Sequence, residues 1–178
     1  MTIIDLQTVV LFLLAVTFIN LLINIKLVKV ILNLKSDASV NLLEDSSLPM
    51  VSGYNFDSKE SLTVNNIESD KVLVFLQTNC PKCKSKLKHF ETIISNAAEA
   101  NVDVKIVLSE NEAAIDRFIG KYDLKKYVLH MKRDDYLHLN PHQISPAYMF
   151  VNAENEIEVQ GMIDDDNWQY FNQNIISV

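Results

Sequence analysis

Cys80 and Cys83 are the only cysteines in the chain, and Pro81 and Lys82 separate them. A pair at this spacing can cycle between dithiol and disulfide, with a thiolate as the attacking species. It can also offer two thiolates to a metal, but two ligands alone do not complete a four-ligand zinc site. A disulfide closing so short a loop removes little chain entropy, which makes a purely structural staple a weak explanation.

The segments around the pair decide how the thiols are presented. Lys71 to Leu76 ends in a continuous apolar run, the pattern of a strand buried on both faces. Pro81 suits the first position of a helix, where no backbone donor is needed. Leu87, Phe90, Ile94 and Ala97 then recur at helical spacing, so the helix is predicted from Pro81 to about Ala98. Both cysteines therefore fall at a strand-to-helix junction, where unpaired N–H groups and the helix dipole favour a negative sulfur. Cys80, at the exposed end, reads as the attacking thiol. Cys83, nearly one turn deeper, reads as the resolving thiol. Lys82 lies inside the motif, and Lys84, Lys86 and Lys88 follow it. That cluster reads equally well as a solvated helix face and as support for a thiolate.

The remaining elements must hold this junction. Tyr54 to Phe56 and Ser61 to Val64 read as two short strands around a polar turn. Val102 to Leu108 reads as a second long strand. A helix follows it to about Tyr122, capped by Ser109 with Glu112 three residues on. Tyr127 to Leu129 is a third short strand. Ala147 to Asn152 and Glu156 to Gly161 form a hairpin, and Asp165 to Ile175 a terminal helix, with Asp164-Asp165-Asp166 as its N-cap region. Strands alternating with helices imply an α/β domain with a central sheet covered by helices. Pro146 opens the hairpin and cannot donate to a strand ladder. It reads either as a strand-edge proline or as a cis-proline facing the cysteine turn. His142 lies four residues before it, while His89, His130 and His138 read as surface or loop residues.

Composition narrows the function classes. The chain has 178 residues, 48% hydrophobic content and a net charge of −7, which argues against nucleic acid as a main partner. Leu6 to Ile25 is a stretch of twenty residues without a charge, long enough to cross a bilayer as a helix. No basic segment precedes it and no small-residue cleavage site follows, so it reads as a retained anchor. The predicted division is an anchor helix over 1–35, a polar linker over 36–49 and a folded domain over 50–178. Lys26, Lys29 and Lys35 follow the span, and the positive-inside rule alone would put the domain in the cytoplasm.

The segment VLVFLQTNCPKC and, sixty residues after Cys83, ISPAYMFVNAENEIEVQGMI resemble a thioredoxin-like fold. The resemblance covers roughly residues 50–178. It is to the membrane-anchored TlpA/ResA-like thiol–disulfide oxidoreductases, and within them to the MauD-type methylamine-utilisation proteins. It implies a mixed sheet flanked by helices with an N-terminal hairpin. It implies Cys80 as nucleophile, Cys83 as resolving thiol and Pro146 as a cis-proline, with Ser145 contacting substrate backbone and Pro81 and Lys82 supporting. It also implies an extracytoplasmic domain and an electron-transfer partner in the membrane. The lysines beyond the span are few, so the resemblance outweighs them. Two positions depart from the pattern: Asn79 replaces a common tryptophan, and Val74 stands where thioredoxin has a buried acid.

The leading expectation is a membrane-tethered enzyme that exchanges disulfides with cysteine-containing proteins of the cell envelope. It needs no cofactor beyond the Cys80–Cys83 disulfide, no metal and no nucleic acid. One alternative is a copper- or metal-delivery module using Cys80, Cys83 and His142. Another is a non-catalytic assembly factor held at the membrane.

Overall fold

The computed structural model describes Leu11, residues 13–26 and residues 46–175. The chain divides into two compact units, Met1–Val40 and Asn41–Val178. In the first, Leu11 and residues 13–26 are helical, and their large apolar side chains stand exposed. Among the described residues no helix is long and apolar enough to cross a membrane. The predicted span Leu6–Ile25 and the linker therefore lie partly outside the described residues.

The second unit is built on a seven-stranded mixed sheet. Its strands are β1 (Ser52–Asn55), β2 (Ser61–Thr63), β3 (Lys71–Phe75), β4 (Asp103–Leu108), β5 (Val128–Met131), β6 (Ala147–Val151) and β7 (Ile157–Met162). Their spatial order is β2-β1-β5-β4-β3-β6-β7. β3 pairs parallel with β4, Val74 opposite Ile106, and antiparallel with β6, Val74 opposite Tyr148. Every residue of β3 is buried, as its apolar run requires.

The two-residue period of β3 sorts its side chains into two cores. Val72, Val74 and Leu76 join one cluster with Leu87, Phe90 and Ile94 of helix α1 (Pro81–Glu99). Ile115 and Phe118 of α2 (Glu112–Ile119) and Trp168 of α4 (Asp166–Tyr170) complete that face. Leu73 and Phe75 point the other way and pack with Tyr136 and Leu139 of α3 (Arg133–Leu139). Each such side chain contributes about 1.5–3 kcal/mol by leaving water. β3 is thus clamped from both faces and both edges, and the cysteine-bearing loop leaves it from a fixed point.

Several expectations shift in detail. The helix after β4 is capped by Asn111, whose Oδ1 accepts from the Ala114 N–H at 3.0 Å, not by Ser109. It ends at Ile119 rather than near Tyr122, because Gly120 turns the chain with φ +37°. α3 has no counterpart among the expected elements, since its seven residues carry only two buried side chains, Tyr136 and Leu139. The terminal helix begins as expected, with Asp165 Oδ1 accepting from Trp168 N–H at 2.8 Å. It loosens into a wider turn over Phe171–Ile175. His130 is not a loop residue; it lies in β5, half-buried, its Nδ1 hydrogen-bonded to the Tyr54 hydroxyl. Ordered packing precedes Met50: Ser47 bridges to Glu156, and Leu48 is buried.

Lys71 is the one charged residue inside β3, only 1% exposed. Its Nζ donates to the carbonyls of Ile67 at 3.0 Å and Asn152 at 3.3 Å, and burial lowers its pKa. At the other end of the sheet the Tyr148 hydroxyl donates to Asp165 at 2.9 Å, directly over Gly161. A Cβ on Gly161 would meet Asp165 Oδ2 at 2.0 Å and the Tyr148 hydroxyl at 2.6 Å. Gly161→Ala is therefore expected to cost about 2–3 kcal/mol, combining overpacking with a lost hydrogen bond. Urea denaturation checks this: the midpoint falls and the slope is unchanged.

Candidate active site

The parallel strands β3 and β4 end side by side, and the loops leaving their carboxyl ends form a crevice of the kind that α/β sheets use for ligands. Gln77, Thr78 and Asn79 carry the chain from β3 to α1. Cys80 is the N-cap of α1, with extended backbone, and Pro81 follows at the first helical position. An N-cap normally offers oxygen to an orphan N–H. Here sulfur does so: Cys80 Sγ accepts from the Cys83 N–H at 3.2 Å.

The two thiols, both free in this structure, differ sharply in environment. Cys80 is partly exposed; Cys83 is buried in the α1-side core. Burial works against the Cys80 thiolate. The Cys83 thiol and N–H, the Ser145 side chain and the Lys82 backbone outweigh it and hold the pKa below the ordinary thiol range. Burial, then the neighbouring Cys80 sulfur, pushes the Cys83 thiol up to about 12. One sulfur is thus poised to attack while its partner keeps its proton.

The opposite wall is the loop before β6. The Ser145–Pro146 peptide is cis. The Ser145 carbonyl accepts from Cys80 Sγ at 3.9 Å, which brings Cys80, Cys83 and Ser145-Pro146 into one site. Pro81 and Lys82 lie on the same turn and are exposed. His142 is also exposed, and among the described residues no three His, Cys, Asp or Glu side chains converge as metal ligands. The metal reading therefore gains no ligand set.

Four side chains that sequence reasoning did not single out fix the crevice. Gln77 Nε2 donates to the Gln143 carbonyl at 3.1 Å and so ties the cysteine loop to the proline loop. Glu110 Oε1 accepts from Thr78 N–H at 2.8 Å, which ties the same loop to the turn after β4. Asn140, 6% exposed, accepts from Ile144 N–H at 2.9 Å and donates to its carbonyl at 2.8 Å. Gln143 holds a left-handed φ of +52° between these anchors and accepts from the Arg133 guanidinium. No motif spacing marks these contacts, because each joins segments distant in sequence or bends back within a loop.

A buried strand leading into a cysteine-capped helix, beside a cis-proline loop at the same end of a mixed sheet, defines a thioredoxin-like fold. Comparison with known proteins agrees. The chain is similar to the thiol-disulfide oxidoreductase ResA of Oceanobacillus iheyensis, 26% identical over 143 residues, covering 77% of this chain and 74% of the relative. The thioredoxin domain of a thiol-disulfide oxidoreductase from Bacteroides vulgatus superposes with a TM-score of 0.65 at 15% identity, over 76% of this chain and 99% of that one. StoA from Bacillus subtilis superposes with a TM-score of 0.55 at 19% identity, over 65% and 90% of the two chains. No family model matches. The likeness is to the TlpA/ResA-like group and does not bear on the MauD-type proteins.

The two environments make a measurable asymmetry. A thiol with lowered pKa keeps its thiolate until the pH falls below that value; one raised to about 12 stays protonated through the whole physiological range. Alkylation with iodoacetamide, followed by mass spectrometry on the reduced protein, should modify Cys80 at neutral pH while Cys83 remains unmodified. Equal rates at the two sites would contradict the assignment.

Proposed function

We propose that the chain is a thiol–disulfide oxidoreductase whose nucleophile is Cys80. The observation that carries this reading is the sulfur N-cap: the partly exposed Cys80 sulfur accepts an N–H of the first turn of α1, with the buried Cys83 thiol one turn away. Similarity to ResA supports the same activity.

The chemistry balances without a bound cofactor. The Cys80 thiolate attacks one sulfur of a substrate disulfide. That bond breaks, a mixed disulfide forms, and the second substrate sulfur leaves as a thiolate. Cys83 then gives up its proton and attacks Cys80 Sγ, closing the Cys80–Cys83 disulfide and releasing the other substrate thiolate. Two electrons pass from the dithiol to the substrate, and the reverse sequence oxidises a substrate dithiol. Burial is the main restraint on the Cys83 proton, and forming the mixed disulfide removes the further restraint that a charged Cys80 sulfur adds. Ser145 and Pro146 form the wall against which the substrate backbone lies, and Pro81 and Lys82 shape the turn. The substrates are cysteine-containing proteins.

The reading extends to a tether. Leu6–Ile25 carries no charge, and the apolar side chains described within it, among them Leu14, Phe18 and Ile23, are exposed, which supports burial in lipid. We place the thioredoxin-like domain on the envelope side of such an anchor, as the family resemblance implies and against the lysines that follow the span, where it draws electrons from, or delivers them to, a partner in the membrane.

Three measurements test these statements. Cys80→Ser should lower the rate of insulin reduction on the order of a thousandfold, because the nucleophile is lost. Cys83→Ser should instead accumulate a mixed disulfide visible on a non-reducing gel. Labelling intact cells with a membrane-impermeant thiol reagent should modify Cys80; labelling only after lysis would refute the envelope location.

A further inference from the structure

We infer that this site selects partner segments whose reacting cysteine is flanked by acidic residues, and that Lys82, Lys84 and Lys88 form the selecting surface. The inference rests on disulfide exchange at Cys80.

The charge map carries it. Beyond residue 35 the chain holds 13 basic and 22 acidic residues, a balance of −9. Against that background four lysines fall within seven positions of α1, and the first turn of the helix contains no acid. The next acid along α1, Glu91, is engaged elsewhere: its Oε1 accepts from the Asp123 N–H at 2.9 Å.

Most lysines of the domain away from the thiol are engaged within the chain; Lys121 and Lys132 are the exposed ones that form no ion pair among the described residues. Lys59, Lys105, Lys125 and Lys126 each form an ion pair with an acid of this chain, and Lys71 is buried on two carbonyls. Lys86 pairs with Asp164 at 2.5 Å. Lys82, Lys84 and Lys88 are exposed and form no ion pair among the described residues. Lys84 N–H donates to the Cys80 carbonyl at 3.1 Å, so this residue stands one turn above the nucleophile. Lys88 is a further turn along the same helix face. Glu110, the acid bonded to the cysteine loop, directs its two oxygens at the Thr78 and Ser109 N–H groups. Across the crevice Arg133 reaches the site through Gln143 and Gln77. Asp134 and Asp135 follow Arg133 in α3, which leaves α1 as the stronger cationic wall.

The overall negative charge does not cancel this local field. At physiological ionic strength screening acts over about 8 Å. Exchange requires contact between sulfurs, so residues adjacent to the target cysteine come within that range of the α1 lysines. Most acids of the domain lie on other elements and are screened. Charges at the rim of an interface act chiefly on association rate and on rejection of wrong partners. A target cysteine with basic neighbours is therefore disfavoured as much as an acidic one is favoured.

The test uses the full chain in its dithiol form. Its substrates are three synthetic peptide disulfides that differ only in the residues beside the cysteine: aspartate, asparagine or lysine. Bis(2-hydroxyethyl) disulfide serves as an uncharged reference. At low salt the aspartate peptide should react about tenfold faster than the lysine peptide, and about 0.5 M salt should shrink the gap to about twofold. The double variant Lys84→Glu/Lys88→Glu should reverse the order and keep the reference rate within about twofold. Equal rates for the three peptides, or a preference the double variant does not change, overturns the inference and leaves the exchange activity standing. Failure to react with the uncharged reference overturns the exchange activity itself, and this inference with it.

Discussion

A single hydrogen bond, from the Cys83 N–H to Cys80 Sγ, organises the site. It uses a donor that every helix leaves unpaired in its first turn and gives it to sulfur rather than to oxygen or water. For this to work, α1 must begin at residue 81, and Pro81 sets that start. The turn must also stand on something rigid. β3 supplies that footing through hydrogen bonds to both neighbours and burial of both faces. Helix start, strand burial and thiolate stabilisation are therefore one constraint seen at three scales.

The loops around the sulfur are held by polar contacts as well as by apolar packing. Gln77 joins the cysteine loop to the proline loop, Glu110 joins it to the turn after β4, and Asn140 folds the proline loop upon itself. Asn140 is buried and Gln77 and Glu110 are partly so, and each replaces lost water with a protein partner, which adds definition at little cost. A crevice built this way keeps its shape while remaining open to a partner.

Much of this was legible in the sequence where the signal is local. The apolar run of β3, the helical spacing of Leu87, Phe90 and Ile94, and Pro81 as a helix start all depend on residues close together in the chain. Pro146 was legible as an anomaly in an apolar strand, and the structure resolves its alternatives in favour of the cis peptide. Signals failed where two local readings competed. Ser109 with Glu112 three residues on fits a capping-box spacing, but the helix starts two residues later and Asn111, also a good cap type, takes the role. α3 escaped notice because a two-turn helix with two core residues has no periodicity to detect. Gln77 and Glu110 escaped because a hydrogen bond across 66 or 32 positions leaves no trace in spacing.

The burial of Cys83 has a consequence outside catalysis. Soft metal ions bind thiol pairs by drawing both sulfurs, deprotonated, into one coordination sphere. In this chain one sulfur is reachable and has its pKa lowered, while the other is enclosed by Leu87 and its neighbours and has its pKa raised to about 12. A metal taking both sulfurs must therefore displace the Cys83 proton from within the apolar wall around it, so binding at this pair releases protons and weakens as the pH falls.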